Sequence, residues 1–407
     1  MEDLILLKKS SSRDYKCKRF FIFAIHLNNY FLSAIYIHIP YCKQRCSYCS
    51  FHFKISQKDK SEMIKCMIKE IELRKNYLKI NVLDSIYFGG GTPSLLENTD
   101  FIKIFLKIKE QFKISEKCEI TVECNPDDLS TKKLTFLKGI GVNRLSIGIQ
   151  SFKEEDLVFM NRSHSRQQAL DCVKQAQEIG FTNISIDLIY SLPQQSLEDW
   201  KHNLDIAFSL NIQHISSYSL TIEEKTKLAH LIKNNEIKEL EDIESVKHFD
   251  LLNEKCGENG FIGYEISNYG KEGYFSKHNS NYWLAKQYLG IGPSAHSYTG
   301  EIRSWNISNN TNYIKSLEEN ILPSEIEILS KNQQYNDYIM TTLRTIWGVD
   351  LEFIKNKFEK STYDYLSNQI EKWVKSEDIY KKEENIYLTT KGKYISDSIC
   401  SDLFIVE

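Results

Sequence analysis

The chain has 407 residues, 41% hydrophobic and 26% charged, the balance of a folded globular protein rather than a disordered or collagenous one. Lys+Arg 52 against Asp+Glu 55 gives a net charge of −3, so no global charge excess points to nucleic acid as a partner. No stretch reaches the roughly 20 apolar residues of a membrane-spanning helix, and at roughly 100–200 residues per domain the length predicts two or three domains.

Residues 1–33 read as a peripheral N-terminal extension. Within it, Phe20–Leu27 follows Lys16, Lys18 and Arg19 and has the outline of a short signal peptide. A frayed extension or an early start codon are the alternatives, and the reduced thiols that the next segment needs argue against export. From Ala34 to about residue 222, short β-branched runs alternate with longer amphipathic stretches. The predicted strands are 35–39, 85–88, 119–123, 144–149, 183–188 and 214–219. The predicted helices are 58–77, 100–112, 131–138, 165–179 and 197–210, with Ile140-Gly141 and Ile179-Gly180 as helix stops. About six βα units in a row predict an α/β fold, a partial (β/α)6 barrel whose site gathers at the strand C-termini.

Residues 223–320 form a connecting and barrel-closing region. Its first part is charged and helical, strongest over Leu231–Leu252, and the run Glu236–Glu244 reads as a solvated helix face. Residues 261–306, rich in Gly, Asn, Tyr and Ser, predict loops and short strands. From 321 to 407 we expect a small helical, winged-helix-like accessory domain, with helices over 331–343, 351–358 and 362–375. A strand at 385–388 and a turn at Thr389–Gly392 complete it.

Ten cysteines are present, and seven are scattered as buried small hydrophobes usually are. Cys42, Cys46 and Cys49 are not: they fall in one loop after the first strand with the spacing C-x3-C-x2-C. Thiolates ligate iron–sulfur clusters, and three leave one iron of a [4Fe–4S] cluster open to a small chelating ligand. A structural zinc site would need a fourth ligand, for which nearby His52 is the candidate. Phe88-Gly-Gly-Gly-Thr-Pro-Ser94 then ends the second strand, where glycines permit close backbone approach to a ligand. Glu123, Gln150 and Asp187 end the third, fourth and fifth strands, and Arg162 offers a fork suited to a carboxylate. Each alone reads equally as a cap or an ion pair. Ligand-type residues at successive strand ends are harder to dismiss.

These segments resemble the radical S-adenosylmethionine (SAM) superfamily, in which the open iron binds SAM and the reduced cluster cleaves it to a 5′-deoxyadenosyl radical. Over residues 34–400 the chain looks like the branch that holds the oxygen-independent coproporphyrinogen III oxidases and the heme chaperones. The resemblance implies a [4Fe–4S] cluster on Cys42, Cys46 and Cys49. It implies SAM held by Gly90, Gly91, Thr92, Glu123, Gln150, Arg162 and Asp187, with Tyr36 near the sulfonium and Tyr48 near the adenine. The oxidases resemble C-x3-C-x2-C-x-C; here Phe51 stands at the last position. The chaperones resemble the pattern found here, together with His278-Asn-Ser-Asn-Tyr-Trp283. The expectation is therefore a cytoplasmic heme chaperone that delivers heme to acceptor heme proteins, as a homodimer and with peripheral membrane association in view. The alternative is an oxidase that decarboxylates two propionates of coproporphyrinogen III. His278 is the candidate heme ligand, and a histidine bonded within its loop is the plainer reading. His296 is a weaker candidate. His38 reads as a satisfied core histidine facing the barrel interior.

Overall fold

The computed structural model describes residues 32–406. The segment Phe20–Leu27 and Cys17 lie outside the described residues.

β1 (Ser33–Ile39) shows why a parallel sheet forms here. Ile35, Ile37 and Ile39 enter the main core, while Tyr36 and His38 turn to the opposite face and touch each other. β2 (Val82–Gly90), β3 (Lys113–Cys124), β4 (Arg144–Gln150), β5 (Ile184–Tyr190) and β6 (His214–Ser219) follow, each parallel to its predecessor. The crossovers are α1 (Lys60–Leu73), α2 (Asn98–Gln111), α3 (Thr131–Gly139), α4 (Glu154–Phe159), α5 (Arg166–Glu178) and α6 (Leu197–Ser209). Capping boxes at Ser165 and Ser196 start α5 and α6. Gly141 and Gly180, both at positive φ, turn the chain just past α3 and α5, at the predicted stops. The main core lies between the sheet and these helices, with Phe88 on Phe101 and Phe105, and Trp200 fully buried.

The partial (β/α)6 barrel is thus present, and the sheet extends well beyond it. After α7 (Lys227–Lys233) and α8 (Asp242–Glu258) come β7 (Ile262–Gly263), β8 (Asn268–Gly270), α9 (Lys277–Trp283) and β9 (Tyr288–Ile291). β10 (His296–Tyr298), β11 (Ile302–Asn306), α10 (Asn310–Glu318) and β12 (Ser324–Ile328) complete this part. The sheet order is β12-β11-β10-β9-β1-β2-β3-β4-β5-β6-β8-β7. β9 lies parallel on the free side of β1, while β10–β12 and β7–β8 add antiparallel margins. The expected helix across Leu231–Leu252 is broken: α7 stops at Lys233, Asn235 takes φ 58°, and helix resumes only at Asp242. Asparagine tolerates the left-handed region, which ends a helix.

The C-terminal unit has its own core, around Tyr335, Ile339, Leu366, Ile370 and Ile399. It comprises α11 (Lys331–Thr342), β13 (Val349–Asp350), α12 (Leu351–Lys357), α13 (Lys360–Lys375), β14 (Ile379–Lys382), β15 (Asn385–Leu388), α14 (Thr390–Tyr394) and α15 (Ser396–Leu403). The strands form a small antiparallel sheet, β13-β15-β14. The predicted turn at Thr389–Gly392 is the start of α14, with Thr389 Oγ1 accepting from Gly392 N at 3.1 Å. Ile346 N donates to Tyr264 O at 3.0 Å, and Arg303 pairs with Asp337 at 2.5 Å, holding this unit on the barrel margin.

Candidate functional site

β1 runs through Pro40 and Tyr41 into the cysteine loop, and backbone bonds to distant elements fix that loop. Cys42 N donates to Lys54 O at 3.0 Å, Ser47 N to Met160 O at 3.0 Å, and Leu228 N to Ser47 O at 2.9 Å. Cys42, Cys46, Tyr48 and Cys49 line a cavity of about 430 Å³ at the C-terminal ends of the barrel strands. Two donors already address the sulfurs: Thr92 Oγ1 to Cys42 Sγ and Arg162 Nη1 to Cys46 Sγ, each 3.3 Å. Burial pushes the Cys42 thiol up to about 12 and raises Cys49 as well, so a bound metal would supply the charge that frees the thiolates. Among the described residues no group of three or more His, Cys, Asp or Glu side chains is assembled to hold a metal ion. His52, the fourth ligand that zinc would need, instead bonds Asn310 Oδ1 through Nε2 at 2.7 Å.

The glycine run explains how β2 reaches the loop. Gly90 has φ +100°, and a Cβ there would lie 2.6 Å from the His38 ring; at Gly91 it would lie 2.5 Å from Tyr41 O. Without side chains, Gly91 N donates to Ile39 O at 2.8 Å and Thr92 N to Tyr41 O at 2.7 Å. The same backbone lines the cavity, together with Glu123, Gln150, Arg162 and Asp187. Glu123 accepts from Tyr87 OH at 2.8 Å and Gly90 N at 3.2 Å, and burial pushes its carboxyl up to about 7. Asp187 accepts from Ser146 Oγ at 3.1 Å and is likewise raised by burial. Gln150 ends β4 at φ 70°, an uncommon conformation for a side-chain-bearing residue. Arg162 spans the floor: its Nη2 donates to Asn125 Oδ1 at 2.8 Å and Gly148 O at 2.7 Å, and its buried Nε has no partner. A soft three-thiol rim, a glycine cradle and a buried guanidinium with a donor to spare fit an iron–sulfur cluster and an amino-acid-bearing ligand.

Two of the sequence-predicted residues sit elsewhere. Tyr36 lines a second chamber of about 310 Å³ below the first, which shares Glu123, Ser146, Asp187 and Tyr218 with it. His278 also lines that chamber, on α9 rather than in a loop. Its Nδ1 meets Ser85 Oγ at 3.0 Å and its Nε2 meets Tyr282 OH at 2.9 Å, so both ring nitrogens are engaged. Burial lowers it to about 3, leaving a neutral imidazole. His38 is buried and bonded to Tyr36 OH and His52 O, as a satisfied core histidine is. His296 is exposed against Trp305.

Sequence reasoning missed Ser146, Asn125 and Tyr218. Ser146 was within reach, because it shares the inward face of β4 with Gln150 at period two. Arg144 was missed too: it is 1% exposed, and its Nε and one Nη find no partner.

Residues 36–207 match the Radical SAM superfamily. The "Heme chaperone HemW" of Bacillus subtilis is 33% identical over 373 residues, covering 90% of this chain and 98% of the relative. That of Lactococcus lactis is 32% identical over 90% of this chain and 96% of its own. Among solved structures, "Coproporphyrinogen III oxidase (HemN) from Escherichia coli" superposes with a TM-score of 0.80 over 95% of this chain and 93% of that one. At 21% identity, that likeness shows the fold alone. With nearly the whole length of a curated relative matched at a third identity, the chain belongs to the HemW heme chaperone family of radical SAM proteins.

Proposed function

We propose that this chain is a heme chaperone: it binds heme and passes it to acceptor heme proteins, from a barrel that also holds a [4Fe–4S] cluster and SAM. The observation that carries the reading is the similarity to the Bacillus subtilis chaperone over 98% of that protein's length. Phe51, 71% exposed at the mouth of the cavity where the oxidases resemble a further cysteine, supports it.

In this reading Cys42, Cys46 and Cys49 ligate the cluster, and a bound cluster supplies one-electron chemistry toward SAM. Gly90, Gly91 and Thr92 present backbone to SAM's methionine end. Glu123 accepts from its ammonium, Arg162 turns its spare Nε–H toward a carboxylate, and Asp187 and Gln150 receive ribose hydroxyls. Tyr48 flanks the adenine. Tyr36 stands a layer deeper, toward the sulfonium. The site serves dimerisation or regulation, with heme transfer as the output. A second copy of the chain and respiratory heme proteins at a membrane surface are the partners. The chaperone works in the cytoplasm, and among the described residues no helix is long and apolar enough to cross a membrane.

The test uses anaerobically reconstituted protein. Iron and sulfide are counted, heme is titrated, and coproporphyrinogen III turnover is assayed with SAM and a reductant. About four irons per chain, saturable heme binding and no porphyrin product are expected. Formation of protoporphyrinogen IX would overturn the chaperone reading in favour of the oxidase.

A further inference from the structure

Two ammonium groups, of the half-buried Lys286 and the more exposed Lys357, face a cleft apart from the SAM cavity. It lies where the barrel-closing segment meets the C-terminal unit and holds about 150 Å³. Leu284 and Ala285, just past α9, form one side; Tyr338, Trp347 and Phe353 form the other; Lys286 and Lys357 stand between them. Burial lowers both lysines from their ordinary value, as expected for ammonium groups in apolar surroundings. Neither makes an ion pair among the described residues. The charged groups around Lys286 are Asp84, which favours its charge, and Lys277, which opposes it. Around Lys357 they are Lys331 and Glu301, and its Nζ rests 5.2 Å from the Phe353 ring and 5.7 Å from that of Phe358. The carboxylate in the lining, Asp350, is engaged as the N-cap of α12, where Oδ1 accepts from Phe353 N at 2.9 Å.

The cleft therefore offers aromatic walls and two ammonium groups that make no close ion pair among the described residues, with Asp84 and Glu301 acting on them only at longer range. An ammonium drawn partly out of water, as at Lys286, lowers its burial cost by taking an anion. The complementary molecule is a flat apolar ring with two carboxylates on one edge, which is the chemistry of a dicarboxylate tetrapyrrole. Resting on the heme reading above, we propose that heme docks here by its propionate edge, with Lys286 and Lys357 each meeting one carboxylate. A volume of about 150 Å³ admits that edge and not the whole macrocycle, so the iron stays outside, open to an acceptor. His278, with both ring nitrogens bonded, takes no part.

The test compares hemin with hemin dimethyl ester, which lacks free carboxylates, by absorbance titration of the reconstituted full chain. Wild type is expected to bind hemin at least tenfold tighter than the ester. Lys286→Ala with Lys357→Ala is expected to lose at least tenfold toward hemin and nothing further toward the ester. The paired arginine variants should restore hemin binding, and His278→Ala should bind as wild type. Equal binding of hemin and ester by wild type overturns the cleft, whether or not the variants fold. So does undiminished hemin binding by a double alanine variant with wild-type iron content. A wild-type chain that binds neither compound overturns the heme reading itself, and the proposal with it.

Discussion

Glu123 is a carboxyl whose charge depends on its neighbours. Burial lifts it to about 7, against about 4.3 for an exposed glutamate. Its folded-state pKa is raised, so its contribution to stability is full below about pH 4.3 and is lost as pH rises through about 7. Over that window the protein without SAM should lose on the order of 3 kcal/mol, and Glu123→Gln should flatten the slope. Urea midpoints between pH 5 and 8 check this. A cationic ligand beside Glu123 lowers its pKa, so SAM binding near pH 7 should release a proton, read by calorimetry in buffers of different ionisation enthalpy. Gly91 is the second test at this scale. A Cβ there meets the backbone oxygen of Tyr41, so Gly91→Ala should abolish SAM binding and lower the iron count after reconstitution. Most residues at this site were legible because they end strands or sit in a spaced motif. Arg144 was not, because nothing in a sequence tells a buried guanidinium from a surface one.

The elements of the barrel announced themselves through periodicity, whereas the margins of the sheet did not. β9, β10 and β11 are three to five residues long, too short for any alternation to stand out. What fixes β9 and β11 is a buried polar knot on α1. Glu70 accepts from Arg74 at 3.2 Å, Asn306 Nδ2 at 2.7 Å, Gly292 N at 2.9 Å and Tyr313 OH at 2.5 Å. Arg74 in turn donates to Gly290 O and Ser304 Oγ. One helix thereby holds β9, β11 and α10 through residues more than 200 positions away. Arg74→Met leaves a fully buried carboxylate without its counter-ion and should cost about 3–5 kcal/mol, measured by denaturant unfolding. Replacing Glu70 by Leu in the same chain should recover part of that loss, because the uncompensated charge is then gone.

Among the described residues two large hydrophobic cores stand out, one beneath the barrel sheet and one within the C-terminal unit, beside a small cluster of Leu157, Met160, Ile189 and Leu192. Separate cores predict two calorimetric transitions. Leu366→Ala, in the second core, should destabilise that unit by about 2–5 kcal/mol and leave the barrel transition in place. Trp200→Ala should do the reverse, at about 3–5 kcal/mol. At this scale the sequence shows that there is a barrel and a helical annex. It does not show how they meet, because the seam uses scattered residues such as Tyr264, Arg303 and Trp347 that share no local pattern.

The cysteine loop is fastened by Lys54, Met160 and Leu228, none of them a ligand. Its shape is therefore held by the scaffold rather than by whatever the thiols grip. In a structural zinc finger, stripping the metal unravels the chain. Here chelating the iron from reconstituted protein is expected to leave the far-UV circular dichroism unchanged, with fresh iron and sulfide restoring the cluster without refolding.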